Sequence, residues 1–225
     1  MTIQETYLHH LLEQLRTRLL VMCALTRNAV NNACTALREG NIPLAVAVID
    51  NDSALDELEN EIDAMALSLL ARAQPVAGDL RFVVGALRMV IDLERIGDEA
   101  VSVAERTLLM RDVRDMLTAP QLTRLVEAAQ KALHDALYAF QERDIPLALQ
   151  VCRGSDDITQ MEIRLIHDSL PAKQNPPPDE YSNKMYAMHL ILIARSFSRI
   201  CRRAENIAEH AYFIVEGTSL KHKKT

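Results

Sequence analysis

The tetrapeptide Ile42-Pro43-Leu44-Ala45 returns 103 positions later as Ile145-Pro146-Leu147-Ala148. Downstream, Arg95-Ile96, Ala100 and Ala104-Glu105 return 104 positions later as Arg199-Ile200, Ala204 and Ala208-Glu209. An offset this constant means that one structural unit is written twice, so whatever fold the first half adopts the second must adopt as well. The seam between the copies falls near Asp115 to Pro120, which predicts domains at 1–115 and 116–225. Units of roughly 100 residues are long enough to bury a core of their own.

The breakers are few and they divide the chain cleanly. Gly40 to Pro43, Gln74 to Asp79, Asp112 to Pro120, Asp144 to Pro146 and the stretch Pro171 to Asp179 separate six periodic segments. Helices are expected at about 7–39, 43–72, 79–112, 119–143, 146–170 and 182–216. With 6 Gly, no Trp and 4% aromatic residues, the chain lacks what sandwiches and barrels are built from. The fold class follows as all-α, two tandem three-helix bundles of six long helices. A helix of about 30 residues reaches some 45 Å at about 1.5 Å per residue, which suits elongated bundles.

Several function classes drop out. A formal charge of −6 gives no electrostatic footprint for nucleic acid, and the basic run Lys221 to Lys224 reads as a solvated end. No apolar run reaches the length of about 18 residues that spans a bilayer, and Met1 to His10 lacks a basic-then-apolar leader. No membrane insertion and a cytoplasmic location are therefore expected. Cys23, Cys34, Cys152 and Cys201 are isolated within helical segments and are expected as free, buried thiols. Gly-rich phosphate loops, nucleophile elbows and dinucleotide fingerprints are absent, and the histidines form no zinc pattern. No Glu is followed by His at the third position, which argues against a carboxylate-bridged di-iron bundle.

What stands out is acid on apolar stripes. The second helix carries a seam through Val48, Asp52, Leu55, Glu59, Ile62, Ala66 and Leu69, with Asp56 flanking it. The third is read with a seam through Leu80, Val84, Leu87, Ile91, Glu94, Asp98, Val101, Glu105 and Leu108. Uncompensated carboxylates on a seam cost several kcal/mol each, so the site must be wet, matched by cations or filled with metal. Asp52, Asp56 and Glu59 at i, i+4, i+7, with Glu94, Asp98 and Glu105 on the neighbouring helix, offer hard oxygen ligands one turn apart. Two other readings stand beside the metal one: the acids lie on a solvated face, or Arg72, Arg88 or Arg95 neutralises one or two of them.

The runs Leu69-Leu-Ala-Arg-Ala-Gln-Pro-Val-Ala-Gly-Asp-Leu-Arg81 and Leu93-Glu-Arg-Ile-Gly-Asp98, with Ile193-Ala-Arg-Ser196 and Asn206-Ile-Ala-Glu209, resemble the signature segments of the PhoU family. The likeness covers nearly the whole chain, and helix physics does not demand the Gln-Pro-Val-Ala-x-Asp-Leu-Arg string. The resemblance implies a pair of three-helix bundles, each with an E-x-x-x-D motif able to bind a multinuclear metal cluster. It further implies a non-enzymatic negative regulator of phosphate uptake and the phosphate-starvation response. The expected partners are the ATPase subunit of the phosphate ABC transporter and a sensor histidine kinase, and a homodimer is the expected assembly.

The two repeats do not share the acids. The offsets carry Asp52 to Ser155, Asp56 to Thr159, Glu94 to Ser198 and Asp98 to Arg202. Losing four ligands together fits abandonment of the second metal site as a unit. Arg202 is then expected to pair with Glu162 or Glu209 and to supply the positive charge that a divalent or trivalent metal (Fe, Mn, Mg or Zn) would supply in the first bundle. Two rival functions remain open at this point: a metal-dependent enzyme on phosphate compounds at the Asp52/Glu94/Asp98 cluster, and a PhoU-like regulator of another ion transporter.

Overall fold

A computed structural model describes residues 3–110, 120–169 and 180–220. The predicted seam between the repeats near Asp115 to Pro120, the Pro171 to Asp179 stretch and the Lys221 to Lys224 run lie wholly or almost wholly outside the described residues. All six predicted helical arms are present, and among the described residues there is no strand. Two arms are interrupted. The elements are α1 (Ile3–Glu39), α2 (Ile42–Asp50), α3 (Ser53–Ala73), α4 (Ala77–Leu109), α5 (Pro120–Glu142), α6 (Ile145–Cys152), α7 (Ser155–Ser169) and α8 (Glu180–Glu216). The arm expected unbroken over 43–72 therefore bends at Asn51–Asp52, and the one over 146–170 bends at Arg153–Gly154. Asn51 sits at φ −89°, ψ 0°, and its side-chain amide bonds the Ala47 carbonyl 2.6 Å away, drawing a local polar group into the helix end.

The repeated Ile-Pro-Leu-Ala string has a structural reason. Asn41 Oδ1 accepts from the Leu44 N–H at 3.1 Å and Asp144 Oδ1 from the Leu147 N–H at 2.9 Å, so each string is the first turn of a capped helix with Pro early in that turn. Each cap follows a helix closed by a left-handed residue. Asn41 N–H reaches back to the Ala36 carbonyl and Asp144 N–H to the Ala139 carbonyl, both at 2.9 Å, across Gly40 (φ 63°) and Arg143 (φ 57°).

Within the first unit α4 packs on α1, α2 and α3; within the second α8 packs on α5, α6 and α7. The two units join mainly through α4 against α8, with α1 against α5 beside it. The contacts run antiparallel: Arg81 meets Ile214, Asp92 meets Arg203 and Glu99 meets Arg199, one index rising as the other falls. Gly85 and Gly97 set how close α4 can come to its neighbours. A Cβ on Gly85 would lie 2.4 Å from Ile214 Cγ1 of α8, and one on Gly97 would lie 2.5 Å from Leu55 Cδ1 of α3.

The buried face of α4 is Phe82, Val83, Gly85, Ala86, Met89, Val90, Asp92, Leu93, Ile96, Gly97, Ala100, Val103, Ala104 and Thr107. This corrects the seam read from sequence. Leu80 and Ile91 are exposed, and Val84, Leu87, Glu94, Asp98, Val101 and Leu108 form the half-buried rim. Long apolar side chains drew the sequence reading to the rim, whereas the core face is marked by small residues that let α3 and α8 approach.

Candidate functional site: an acidic elbow and an inter-bundle lock

The bend at Asn51–Asp52 places Asp52 at the start of α3, half-buried, and leaves Asp56 exposed and Glu59 half-buried along the next two turns. α4 presents Glu94 and Asp98 to the same region, Glu94 with a side chain only 14% exposed. The carboxyls sense one another. Burial, then the charges of Asp56 and Asp98, push Asp52 above the usual carboxylate range. Burial, then Asp63 and Asp56, push Glu59 up, with Arg95 opposing and Asp98 adding. Burial, then Asp98, push Glu94 up, with Arg95 opposing and Glu59 and Asp56 adding. The structure thus brings together five of the six acids singled out. Glu105 is exposed, and as it lies seven residues beyond Asp98 it stands about 10 Å further along α4.

Among the described residues no three Asp, Glu, His or Cys side chains converge as ligands for a metal ion. Arg95 spans part of the gap, its Nε 3.2 Å from Glu94 Oε2 and its Nη1 3.1 Å from Asp98 Oδ2. The donor chemistry nevertheless fits a hard cation. Mutually repelling carboxylates face each other from two helices, with Asp52 Oδ1 beside Gly97 of α4, where a Cβ would lie 3.6 Å from it. A cavity of about 270 Å³ opens beside them, lined by Asn28, Asn32, Asn51, Asp52 and Val101.

The counterpart in the second unit is chemically different. Thr159 is exposed, Ser198 is buried and Arg202 is exposed, while Glu209 is half-buried; the side chain of Ser155 lies outside the described residues. The pairing expected for Arg202 with Glu162 or Glu209 is not among the ion pairs of the described residues. Among the described residues, the ion pairs from this stretch of α8 to α4 run through Arg199, Arg203 and His210. Arg199 makes a bidentate pair with Glu99 of α4, one arm at 2.7 Å, and these hydrogen bonds first, then Glu99 and Glu162 as charges, hold its pKa above the ordinary arginine value. Arg202 is exposed, flanking the stripe of residues 199, 203, 206 and 210 that meets α4.

That side completes a polar lock that the sequence reading missed. Asp92, buried on α4, accepts from Arg203 Nη1 at 2.8 Å and Asn206 Nδ2 at 3.1 Å, and its other oxygen lies 3.3 Å from His210 Nε2. Burial alone would raise this carboxyl, but bonds from His210, Asn206 and Arg203 overcome it and hold it below the usual range. The signal was available: Gly85, Met89, Asp92, Ile96, Ala100, Val103 and Thr107 step by four and three, and Gly85 and Gly97 lie on or beside that stripe.

The PhoU domain family model matches this chain twice, at residues 19–107 and 122–211. The chain is 34% identical over 94% of its length to the "Phosphate-specific transport system accessory protein PhoU homolog" of Pseudomonas aeruginosa, covering 86% of that protein. It is 32% identical to the homologue of the same description from Aquifex aeolicus, over 94% of each. The crystal structure of PhoU from Pseudomonas aeruginosa superposes with a TM-score of 0.84 at 32% identity, covering 93% of this chain and 99% of that one. A Streptococcus pneumoniae structure shares the fold with a TM-score of 0.82 at 22% identity, over 95% of this chain and 99% of its own. With both repeats matched and the fold superposing over 93% of its length, the chain belongs to the PhoU family.

Proposed function

We propose that this chain is an accessory regulator of phosphate transport that works by binding other proteins. In this reading it restrains phosphate uptake and the phosphate-starvation response through the ATPase subunit of a phosphate ABC transporter, a sensor histidine kinase, or both. The observation that carries the reading is that the family match runs through both repeats, with relatives over nearly their full length described as phosphate-specific transport system accessory proteins. The α4–α8 lock supports it physically, because it ties the two bundles together, as a scaffold between partners requires. Exposed apolar side chains such as Leu67 on α3, Leu109 on α4 and Ile163 on α7 offer places for a partner to bury surface.

Within that role Asp52, Asp56, Glu59, Glu94 and Asp98 would hold a di- or trivalent cation, which when bound supplies positive charge between α3 and α4. The chain's own contribution is to gather the carboxylates and keep Asp52 close to Gly97. No turnover is assigned, and the protein is proposed to act in the cytoplasm as a homodimer; molar mass by light scattering reads the dimer. The deciding experiment measures binding of the purified chain to the transporter ATPase subunit and to the kinase, with phosphate uptake followed in cells lacking the chain. Binding together with derepressed uptake is expected. Absence of binding to either protein, or turnover of phosphate esters with added Mn²⁺, would overturn the reading.

A further inference from the structure

At the end of the molecule opposite Leu109, where both units meet, a recess of about 410 Å³ is walled by α1, the start of α4, the α5–α6 junction and the end of α8. Three guanidinium groups enter it: Arg16, Arg81 and Arg143. Among the described residues none of the three is in an ion pair, although Glu13 and Asp79 also line the wall. Two of them are held by something else. Arg16 lies over the Phe82 ring, 5.1 Å from its centroid. Arg81 donates through Nε to the Ile214 carbonyl at 3.4 Å and lies against left-handed Gly217, whose Cβ would come within 3.3 Å of Arg81 Cδ. Burial first, and the charge of Arg143 second, lower the pKa of Arg16, with Glu13 opposing, so two like charges share this space.

Arg143 is the most telling of the three. It stands at the left-handed position that closes α5, where the first repeat has Gly40, and a side chain there costs about 1 kcal/mol that glycine avoids. The fold has no use for that cost, since Gly40 closes the same turn with the same backbone bond. The start of α4, with Val76 providing no side-chain cap, adds the positive end of a 33-residue helix through Gly78 and Asp79.

We propose that this recess binds a phosphoryl oxyanion, either free inorganic phosphate or the phosphate of a monoester, with Arg16, Arg81 and Arg143 as its cationic partners. Arginine forks match tetrahedral oxyanions, and a recess shared by two units couples occupancy to how those units sit together. The carboxylates refine the choice. Inorganic phosphate near neutral pH keeps an O–H that can donate to Glu13 or Asp79, whereas sulfate and the dianion of a monoester have none and would meet their repulsion, so the carboxylates favour inorganic phosphate. The inference does not depend on the regulatory reading, because it rests on the recess alone.

The test is titration of the full chain with inorganic phosphate, with AMP and with sulfate, all at fixed ionic strength, by calorimetry and by thermal shift. Inorganic phosphate is expected to bind and raise the melting temperature, with sulfate weaker by at least about tenfold, the scale of one charge-assisted hydrogen bond. Arg143→Gly is expected to weaken that binding by about tenfold while its ligand-free melting temperature stays level or rises, so that lost binding cannot be ascribed to lost fold. The tighter of phosphate and AMP identifies the source. Undetectable binding of both, sulfate binding as tightly as phosphate, or wild-type affinity in Arg143→Gly would each overturn the proposal. None of these results would alter binding to the transporter ATPase or the kinase in ligand-free buffer, so the two readings fail separately.

Discussion

Arg203 on α8 donates to Asp92 on α4 at 2.8 Å, and the repeat carries this pair onto Ser196 and Glu99, 104 residues away in each direction. Ser196 and Glu99 do not form the same bond with charges reversed. Arg199 bridges them, with Nη2 2.7 Å from Glu99 Oε2 and 3.3 Å from Ser196 Oγ. The α4–α8 interface thus keeps a pseudo-two-fold arrangement of cation against carboxylate while the residues supplying it differ.

The Asp92 side is the deeper of the two, with an acid side chain 7% exposed, so removing its charge leaves Arg203 facing an uncharged, buried partner. Asp92→Asn is expected to cost about 3 kcal/mol in denaturant unfolding, the scale for breaking a buried pair on one side. The pH dependence has a definite sign. A carboxyl held below its unfolded value contributes stability that is present above that value and is lost as pH falls through the folded one. The gap between wild type and Asp92→Asn should therefore be full near neutrality and close below about pH 4.

Gly85 should tolerate no side chain while Ile214 is opposite it. Alanine there would bring Cβ within 2.4 Å of Ile214 Cγ1, and α8 would have to move or Ile214 leave its rotamer. Gly85→Ala is expected to lose about 1–3 kcal/mol, and Ile214→Ala combined with it should recover part of that loss. A double-mutant cycle by thermal unfolding measures the coupling. Strict additivity would mean that the two residues do not meet.

Much of this architecture was legible in the sequence, and the parts that were not share a cause. The repeat and the breakers gave six arms and the all-α class because Pro43, Pro146 and their caps act locally. The bends at Asn51–Asp52 and Arg153–Gly154 were not foreseen, since the seam through Val48, Leu55, Ile62 and Leu69 continues across the first as if the helix did. The acids of α3 and α4 were found by pattern, but the rotation of α4 was misread because rim residues such as Leu87 are larger than core residues such as Gly97. Asp92 and Arg199 escaped because their partners lie more than 90 residues away, where periodicity carries no information.

The cysteines give an inexpensive check on the packing. Burial pushes Cys23, Cys34 and Cys201 up to about 12, so none of these thiols holds an appreciable thiolate fraction near neutral pH. All four cysteines are free and buried. Native protein should react with a thiol reagent far more slowly than denatured protein, with all four groups appearing together on unfolding. Rapid modification of Cys23 in the native state would contradict the packing of α1.

The acidic elbow makes a prediction opposite in sign to that for Asp92. The carboxyls of Asp52, Glu59 and Glu94 are raised in the folded state, so the fold retains protons that the unfolded chain has released, and stability falls as pH rises through that interval. Near neutrality and in chelator, Asp52→Asn should therefore stabilise the protein slightly, by less than about 1 kcal/mol because the group is partly exposed and screened. Glu94→Gln should gain less, since it also gives up the contact with Arg95. Below the ordinary carboxylate range the Asp52→Asn difference should vanish. If the cluster holds a cation, adding Mn²⁺ reverses the order: wild type rises with metal concentration as ligand linkage requires, while an Asp52→Asn/Asp98→Asn double variant does not. Thermal unfolding at two pH values, with and without metal, separates the cases, and a wild type indifferent to metal would leave the elbow as an electrostatic cost without a cation to relieve it.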